Sequence, residues 1–165
     1  MAARDLQETF EQLVEEHKKI LFKVCNSYCR EYDSRDDLAQ EIMIQLWRSF
    51  GKFDGRCRFS TWMYRIALNV AISFYRKEST RTRHVISGDQ HLLETAGEAG
   101  SDPEDIRLLY RSIEGLDPLN KAVILLYLDE NSYREIAEVL GITETNVATK
   151  ISRLKNKMKQ ELGGD

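Results

Sequence analysis

The sequence has 165 residues, 42% hydrophobic and 31% charged, which is enough for one ordinary domain or two small ones. No stretch approaches the roughly 20 apolar residues that a membrane span needs, and the polar start does not resemble a signal peptide. The three cysteines are an odd number in a chain that looks cytosolic, which argues against a disulfide framework. We expect buried, reduced thiols at Cys25 and Cys29, no membrane insertion and a cytoplasmic location.

The net charge of −3 is unevenly distributed along the chain. Residues 1–47 hold 6 basic and 10 acidic groups, residues 48–84 hold 9 and 2, and residues 85–118 hold 2 and 8. A second basic run, which contains no acidic residue, lies near the end of the sequence: Lys150, Arg153, Lys155, Lys157 and Lys159. Two basic zones on an acidic background favour two contacts with a polyanion, although either run alone is more often a solvated surface.

Apolar residues recur at steps of three and four from Leu6 to Tyr32, which predicts helix with room for one break. The triplet Asp33-Ser34-Arg35 indicates a turn, with Ser34 as the cap of a following helix. That helix is expected to run to about Phe50 and to end at Gly51.

A basic loop from Phe53 to Phe59 separates that helix from the next one. Ser60 or Thr61 is expected to cap the next helix, which runs to about Lys77. Large apolar residues at four-residue intervals predict its core-facing stripe. The stripe consists of Trp62, Ile66, Val70 and Phe74.

Residues 79–103 are rich in Ser, Thr, Gly and charge, and predict a flexible linker. Helical periodicity resumes at Pro103, after a cap at Asp102, and three further helices are expected over 120–127, 132–140 and 143–162. We see no strand alternation. The predicted fold class is therefore all-α, with small helical domains at 6–78 and 104–162 joined by the linker.

The segment from Ser132 to Met158 matches a helix-turn-helix, whose second helix lies in the major groove of DNA. Gly141 supplies the turn, where a Cβ would be penalised at positive φ, and Thr143 caps the second helix. On the face opposite the core, Asn can pair with adenine, and Arg or Lys with guanine or phosphate. The candidate DNA-binding residues on that face are Glu144, Thr145, Asn146, Thr149, Lys150 and Arg153.

Between residues 52 and 77, aromatic residues alternate with basic ones. Aromatic rings stack on unpaired bases while cations follow the backbone, so the segment is typical of a single-strand binding surface. Opening a duplex also requires a pocket for an extruded base. The candidates outside the core stripe are Arg56, Arg58, Phe59, Arg65, Asn69, Ser73 and Arg76.

Three motifs, in this order, resemble those of extracytoplasmic-function (ECF) sigma factors of the sigma-70 family, and the resemblance covers nearly the whole chain. Residues 36–50, DDLAQEIMIQLWRSF, resemble the polymerase-binding helix of region two. The tract FDGRCRFSTWMYRIALNVAISFYRK resembles the promoter-melting part of region two, and residues 132–158 resemble the helix-turn-helix of region four.

The resemblance implies a subunit that binds core RNA polymerase, at the clamp helices of its largest subunit and at its flap, and that reads and melts promoter DNA. The loop Phe53–Phe59 would hold a flipped base of the minus-ten element, beside Arg56, Arg58, Arg65, Asn69 and Arg76, and the recognition helix would read the minus-thirty-five element. An anti-sigma factor is a further expected partner. The residues implied in polymerase binding are Asp37, Leu38, Gln40, Glu41 and Trp47.

Two departures from the family pattern are visible. The Arg56-Cys57-Arg58 triplet is more basic than the usual loop, and Ala148 stands where many relatives carry Lys or Arg. The main alternative is a helix-turn-helix regulator that does not bind polymerase. An enzyme is less favoured because no Ser, Cys or Tyr has an evident His partner, and we expect no cofactor and no metal site.

Overall fold

The computed structural model describes residues 2–29, 31–81 and 103–163, and these ranges contain helices and connecting loops but no strand. The all-α fold class is thereby confirmed. Within these ranges, no helix is both long enough and apolar enough to cross a membrane. The helices are α1 (Ala3–Glu16), α2 (Lys18–Tyr28), α3 (Tyr32–Phe50), α4 (Phe59–Arg81), α5 (Pro103–Glu114), α6 (Pro118–Leu128), α7 (Tyr133–Leu140) and α8 (Glu144–Gly163).

Helices α1–α4 form the first module, in which α2 and α3 pack against α4. The break allowed in the first long helix falls at His17, whose backbone leaves the helical region while its ring Nδ1 lies 2.8 Å from the carbonyl oxygen of Leu13. The core of this module is made by fully buried aliphatic side chains, which all three inner helices supply. They include Val24, Leu38, Ile42, Leu46, Met63 and Leu68.

The predicted turn at 33–35 is wrong, because α3 already begins at Tyr32. Ser34 therefore lies inside the first turn, and the N-cap position belongs to Glu31, whose side chain makes no capping hydrogen bond. Arg35 is buried and its Nε donates to the carbonyl oxygen of Cys29 at 3.3 Å. This contact links the end of α2 to the first turn of α3.

The start of α4 is also earlier than expected, since the helix begins at Phe59 and both predicted caps, Ser60 and Thr61, lie within it. Its end is later, at Arg81, so the first three residues of the predicted linker are helical. The rest of that linker, and the predicted cap Asp102, lie outside the described residues.

The core stripe predicted for α4 is wrong by about one residue in register. Trp62, Ile66, Val70 and Phe74 are only half-buried, at the edge of the core. The buried face consists instead of Met63, Tyr64, Ala67, Leu68 and Ala71. Two alanines belong to this face because helices approach closely there, and a search for bulky apolar residues overlooks such positions.

Helices α5–α8 form the second module around α6, which is buried along most of its length. The expected start of α6 at Asn120 moves to Pro118, because Asp117 caps the helix by accepting from the amide of Asn120 at 2.8 Å. Proline fits the first helical position, where its missing N–H costs nothing.

The helix-turn-helix is formed by α7 and α8, as predicted. Ser132 and Glu135 make a reciprocal capping box at the start of α7. Gly141 ends that helix in the left-handed region, at φ 71° and ψ 33°, and its amide donates to Ala137 at 2.8 Å. Thr143 Oγ1 accepts from the amide of Asn146 at 3.0 Å and caps α8.

Replacing Gly141 with Ala should destabilise the chain because a Cβ in the left-handed region costs about 1–2 kcal/mol. In a chain of this size that corresponds to a decrease in Tm of roughly 2–8 °C, measurable by circular dichroism. Gly51→Ala is the matched control, because Gly51 has φ −60° and an added Cβ would meet nothing within 4 Å at either position. Equal Tm values for the two variants would contradict the assigned turn.

Candidate nucleic-acid interface

The outer face of α3 is polar and is exposed to solvent. Asp37, Gln40 and Glu41 lie there one turn apart, and Trp47 continues the same side of the helix with 43% of its surface exposed. The Trp47 ring meets Phe10 of α1 edge-on, with ring centroids 5.1 Å apart. An exposed indole held in place by a neighbouring ring is suited to anchor a protein partner.

Leu38 is the exception among the residues implied in polymerase binding. It is fully buried in the core of the first module, so it cannot be part of a contact surface. The expectation that Leu38 contacts polymerase is therefore wrong: the side chain belongs to the core of the first module, and only its neighbours face outward.

A groove of about 720 Å³ runs between α3 and α4. One wall carries Asp37, Gln40 and Glu41, and the other carries Asn69 and Lys77. The misassigned stripe of α4 supplies three of its apolar residues, which explains why they are half-buried: Ile66, Val70 and Phe74. The groove thus connects the polar face of α3 with a candidate DNA-binding residue of α4.

The loop between α3 and α4 is basic and is shaped by local contacts. Asp54 accepts from the amide of Arg56 at 3.1 Å and also pairs with the guanidinium of that arginine at 3.1 Å. Gly55 between them has φ 77°, which favours glycine. Arg56 therefore points into solvent from a loop whose shape is already set.

Phe59 is buried, and its ring lies within an aromatic cluster with centroid distances of 5.0 to 6.5 Å to His17, Phe50, Phe53 and Trp62. The expectation that Phe59 contacts a base is therefore wrong, because its ring is covered by protein. Phe53 and Trp62, whose ring centroids are 5.2 Å apart, are half-buried and therefore more exposed than Phe59. Sequence reasoning placed Trp62 in the core and so missed it.

The remaining predicted minus-ten residues lie in two different environments. Arg58 forms an ion pair with Glu135 of α7, and Arg65 donates to the backbone oxygen of Glu138 at 3.3 Å. Asn69 and Arg76 are exposed elsewhere on α4, and Asn69 lines the groove. The structure thus places two of the predicted minus-ten residues at a contact between the modules.

The recognition helix α8 presents the predicted face to solvent, opposite buried Val147, Ile151 and Leu154. Lys150 is half-buried, and the other residues of the predicted set are exposed. Those residues are Glu144, Thr145, Asn146, Thr149 and Arg153.

Tyr127 of α6 was not found from the sequence because its contact with α8 spans 28 positions. The Lys155 ammonium lies 4.8 Å from the centre of its ring, and Tyr133 packs beside Tyr127 at 6.4 Å. A hydrogen bond with Tyr127 raises the pKa of Lys155 above its ordinary value. The cation is thereby held on the later part of the recognition helix, where a phosphate contact is expected.

The thiols are free, with Cys25 and Cys29 buried and Cys57 half-buried in the basic loop. Burial raises the pKa of Cys25 to about 12, because the thiolate would lose its solvation, so this thiol is inert. Among the described residues, no group of three or more His, Cys, Asp or Glu side chains is arranged to hold a metal ion.

A two-module helical fold with an exposed helix-turn-helix and a separate basic surface defines a DNA-binding protein of the transcription machinery. Sigma-70 region 2 matches residues 13–81, and Sigma-70 region 4 matches residues 106–158. The ECF RNA polymerase sigma-E factor of Escherichia coli K12 is 32% identical, over 81% of this chain and 77% of its own length. SigW of Bacillus subtilis, also an ECF sigma factor, is 28% identical over 94% and 90%.

Solved structures show the same fold. The sigma factor RpoE from Bartonella quintana, in complex with the anti-sigma factor NepR, superposes with a TM-score of 0.78 at 20% identity over 96% of this chain and 99% of that one. CnrH, in complex with the cytosolic domain of CnrY, gives 0.69 at 25% identity over 96% and 90%.

The chain therefore belongs to the ECF sigma factors of the sigma-70 family. It is a sigma subunit, which directs promoter-specific initiation of transcription, and the predicted family and function are confirmed. The alternative of a regulator that does not act with polymerase is not favoured.

Replacing Phe59 with Ala should lower stability by roughly 3–5 kcal/mol, as truncation of a buried aromatic ring usually does. Urea unfolding would measure this loss. Arg56→Ala is the control from the same loop, and its side chain is 90% exposed, so we expect a change within about 0.5 kcal/mol. A Phe59→Ala variant as stable as the unchanged chain would return the ring to the list of base-contacting candidates.

Proposed function

We propose that this sigma factor uses three separate surfaces in initiation. The outer face of α3 binds core RNA polymerase, the loop before α4 and the exposed face of α4 bind the minus-ten element, and α8 reads the minus-thirty-five element. The observation that carries the proposal is that each surface is exposed while the opposite face of its helix is buried.

The polymerase surface is supported by its mixture of carboxylate, amide and indole groups. Asp37, Gln40 and Glu41 offer charge and hydrogen bonds along one side of α3, and Trp47 offers a large apolar anchor. Interfaces commonly combine a central aromatic anchor with surrounding polar contacts. The clamp helices of the largest subunit are the proposed partner here, and the flap is the proposed partner of the second module.

The minus-ten surface is supported by cations that can follow a displaced strand. Arg56, Arg58, Arg65 and Arg76 supply the charge, and Asn69 supplies an amide for a base edge. The half-buried rings of Phe53 and Trp62 are available to stack near the loop. We propose that one base of the opened duplex leaves the stack at this loop.

The minus-thirty-five surface is the start of α8 in the major groove. Asn146 lies in the first turn, from which recognition helices usually reach bases, and its amide can pair with adenine. Glu144, Thr145 and Thr149 border it, and Lys150 and Arg153 follow one and two turns later, respectively, where phosphates or guanine come within reach.

An inhibitory protein partner is a further part of the proposal. The sigma factors RpoE and CnrH have been solved with NepR and with the cytosolic domain of CnrY, respectively, and NepR is described as an anti-sigma factor. We propose a comparable anti-sigma partner for this chain. The chain itself would be no enzyme and would need no cofactor, since polymerase performs the chemistry, and it would act in the cytoplasm with polymerase and promoter DNA.

Loss of the α3 amide and carboxylate should weaken binding to core polymerase. We expect the Gln40→Ala plus Glu41→Ala variant to be retained at least about tenfold less in a pull-down with core enzyme, since polar contacts desolvated at an interface cost about 1–3 kcal/mol when one partner is lost. Gln7→Ala plus Glu11→Ala is the matched control, because it removes the same two side-chain types from the exposed face of α1. Full retention of the α3 variant would argue for a different polymerase surface.

Loss of the Asn146 amide should reduce recognition of the minus-thirty-five element. One good base contact is worth about 1–3 kcal/mol, so holoenzyme carrying Asn146→Ala should bind a promoter roughly tenfold or more weakly. Electrophoretic mobility shift on a promoter found by run-off transcription would measure it. Asn156→Ala changes the same residue type at an exposed position of the same helix and should have little effect. Unchanged promoter preference in the Asn146 variant would refute the assignment.

A further inference from the structure

Two tyrosines and one lysine of the second module meet where α6, α7 and α8 come together. The Lys155 ammonium of α8 lies 4.8 Å from the ring centre of Tyr127, in the last turn of α6. The ring centroid of Tyr133, the first residue of α7, lies 6.4 Å from that of Tyr127. These three side chains are here called the tyrosine–lysine cluster, and each comes from a different helix.

The short connection between α6 and α7 holds the two tyrosines side by side. Glu130 has φ 62°, a left-handed conformation that residues other than glycine seldom adopt. Asn131 is buried, and its side-chain amide donates to the backbone oxygen of Leu126 at 2.9 Å. The capping box at Ser132 then starts α7. The relative position of the two rings is therefore fixed by the backbone that joins their helices.

The cluster is open to solvent although it contains two aromatic rings. Tyr133 is 37% exposed, Tyr127 is half-buried and Lys155 is exposed. Its polar groups can all donate, since an ammonium carries three N–H groups and each phenol carries one O–H. A hydrogen bond with Tyr127 raises the pKa of Lys155, and the nearby Tyr133 phenol adds to the rise. Donors around a cation are suited to bind an anionic oxygen.

The cluster borders the reading face of α8 without belonging to it. Lys155 follows Ala148 by seven positions, or two helical turns, so both lie along one edge of the face that carries Asn146 and Thr149. Lys155 is also about 14 Å further along the helix than Asn146, at about 1.5 Å per residue. The major groove is only about 8.5 Å deep, so a side chain this far from the first turn meets phosphates and not base edges.

Lys155 differs from the other basic side chains of α8 that the structure describes, because it alone rests against an aromatic ring. Lys157 and Lys159, which follow it, are exposed. A lysine loses rotamer freedom when it binds a ligand, and a lysine that is already held loses less. The tyrosine contact therefore favours ligand binding by Lys155 over binding by its neighbours.

We propose that the tyrosine–lysine cluster binds one backbone phosphate beside the minus-thirty-five element, with Lys155 as the cation that contacts the phosphate and Tyr127 as the residue that positions it. The inference rests on the proposed role of α8 in reading DNA. The site adds affinity that does not depend on base sequence. It also fixes the register of α8 in the groove, because the cluster ties the contact to α6 and α7.

The phosphate contact is tested by promoter binding of holoenzyme, assembled from core polymerase and the full chain, over a range of salt concentrations. Lys155→Gln should weaken binding at least about threefold at low salt and reduce the slope of log K against log salt by about 0.9, as loss of one phosphate contact does. The loss should be similar on DNA with an altered minus-thirty-five element. Arg111→Gln is the control, because it removes one positive charge from an exposed position of α5 and should leave the slope unchanged.

The positioning role is tested by a double-mutant cycle. Tyr127→Phe keeps the ring and removes the hydroxyl, so it should weaken binding roughly two- to fivefold while the salt slope is retained. In the Lys155→Gln background the same change should alter binding by less than about twofold, since there is no ammonium left to position. Lys155→Arg retains the charge and should restore the salt slope of the unchanged chain.

An unchanged salt slope for Lys155→Gln would overturn the phosphate site. Equal effects of Tyr127→Phe in the two backgrounds would show that the tyrosine acts only on the fold, and would overturn its positioning role. Asn146→Ala, measured in parallel, separates these results from the proposed function. Loss of promoter preference in that variant alone would keep α8 as the reading helix and reject the cluster, whereas no effect of either variant would reject the reading role of α8 as well.

Discussion

The structure depends on helix α4 being packed on more than one side. Its buried face of Met63, Tyr64, Ala67, Leu68 and Ala71 joins the core of the first module, and the same helix contacts α6 and α7 of the second. The two alanines allow close approach, and Tyr64 reaches across to Asp129. Because α4 is held in this way, its remaining sides are left to form the groove against α3 and the exposed polar positions proposed to meet DNA.

The same constraint explains what sequence could and could not predict. Local signals were sufficient for the helix-turn-helix: a capping box at Ser132, a left-handed turn at Gly141 and a cap at Thr143 are decided by neighbouring residues. Residues decided by contacts with other elements of the fold were misread. Ser34 lies inside the first turn of α3, which buried Arg35 links to the end of α2, and Trp62 is not core because the buried face of α4 is selected by helices from both modules.

The predictions of the candidate sites show the same difference between local signals and contacts elsewhere in the fold. Motif resemblance identified positions on α3, α4 and α8, but it could not distinguish the side of each helix, so Leu38 and Phe59 were grouped with exposed neighbours although both are buried. The pairing of Arg58 with Glu135 spans 77 positions and leaves no periodic trace in the sequence. The structure therefore adds burial and long-range pairing. These show which basic residues are exposed to solvent and which already contact another part of the protein.

The central claim is that these helices together make a subunit able to select start sites for polymerase. Run-off transcription with purified core polymerase, the full chain and a genomic promoter library tests it most directly. The account predicts discrete transcripts that depend on the chain and share a pair of sequence elements upstream of their starts. Transcripts identical to those of core polymerase alone would contradict it.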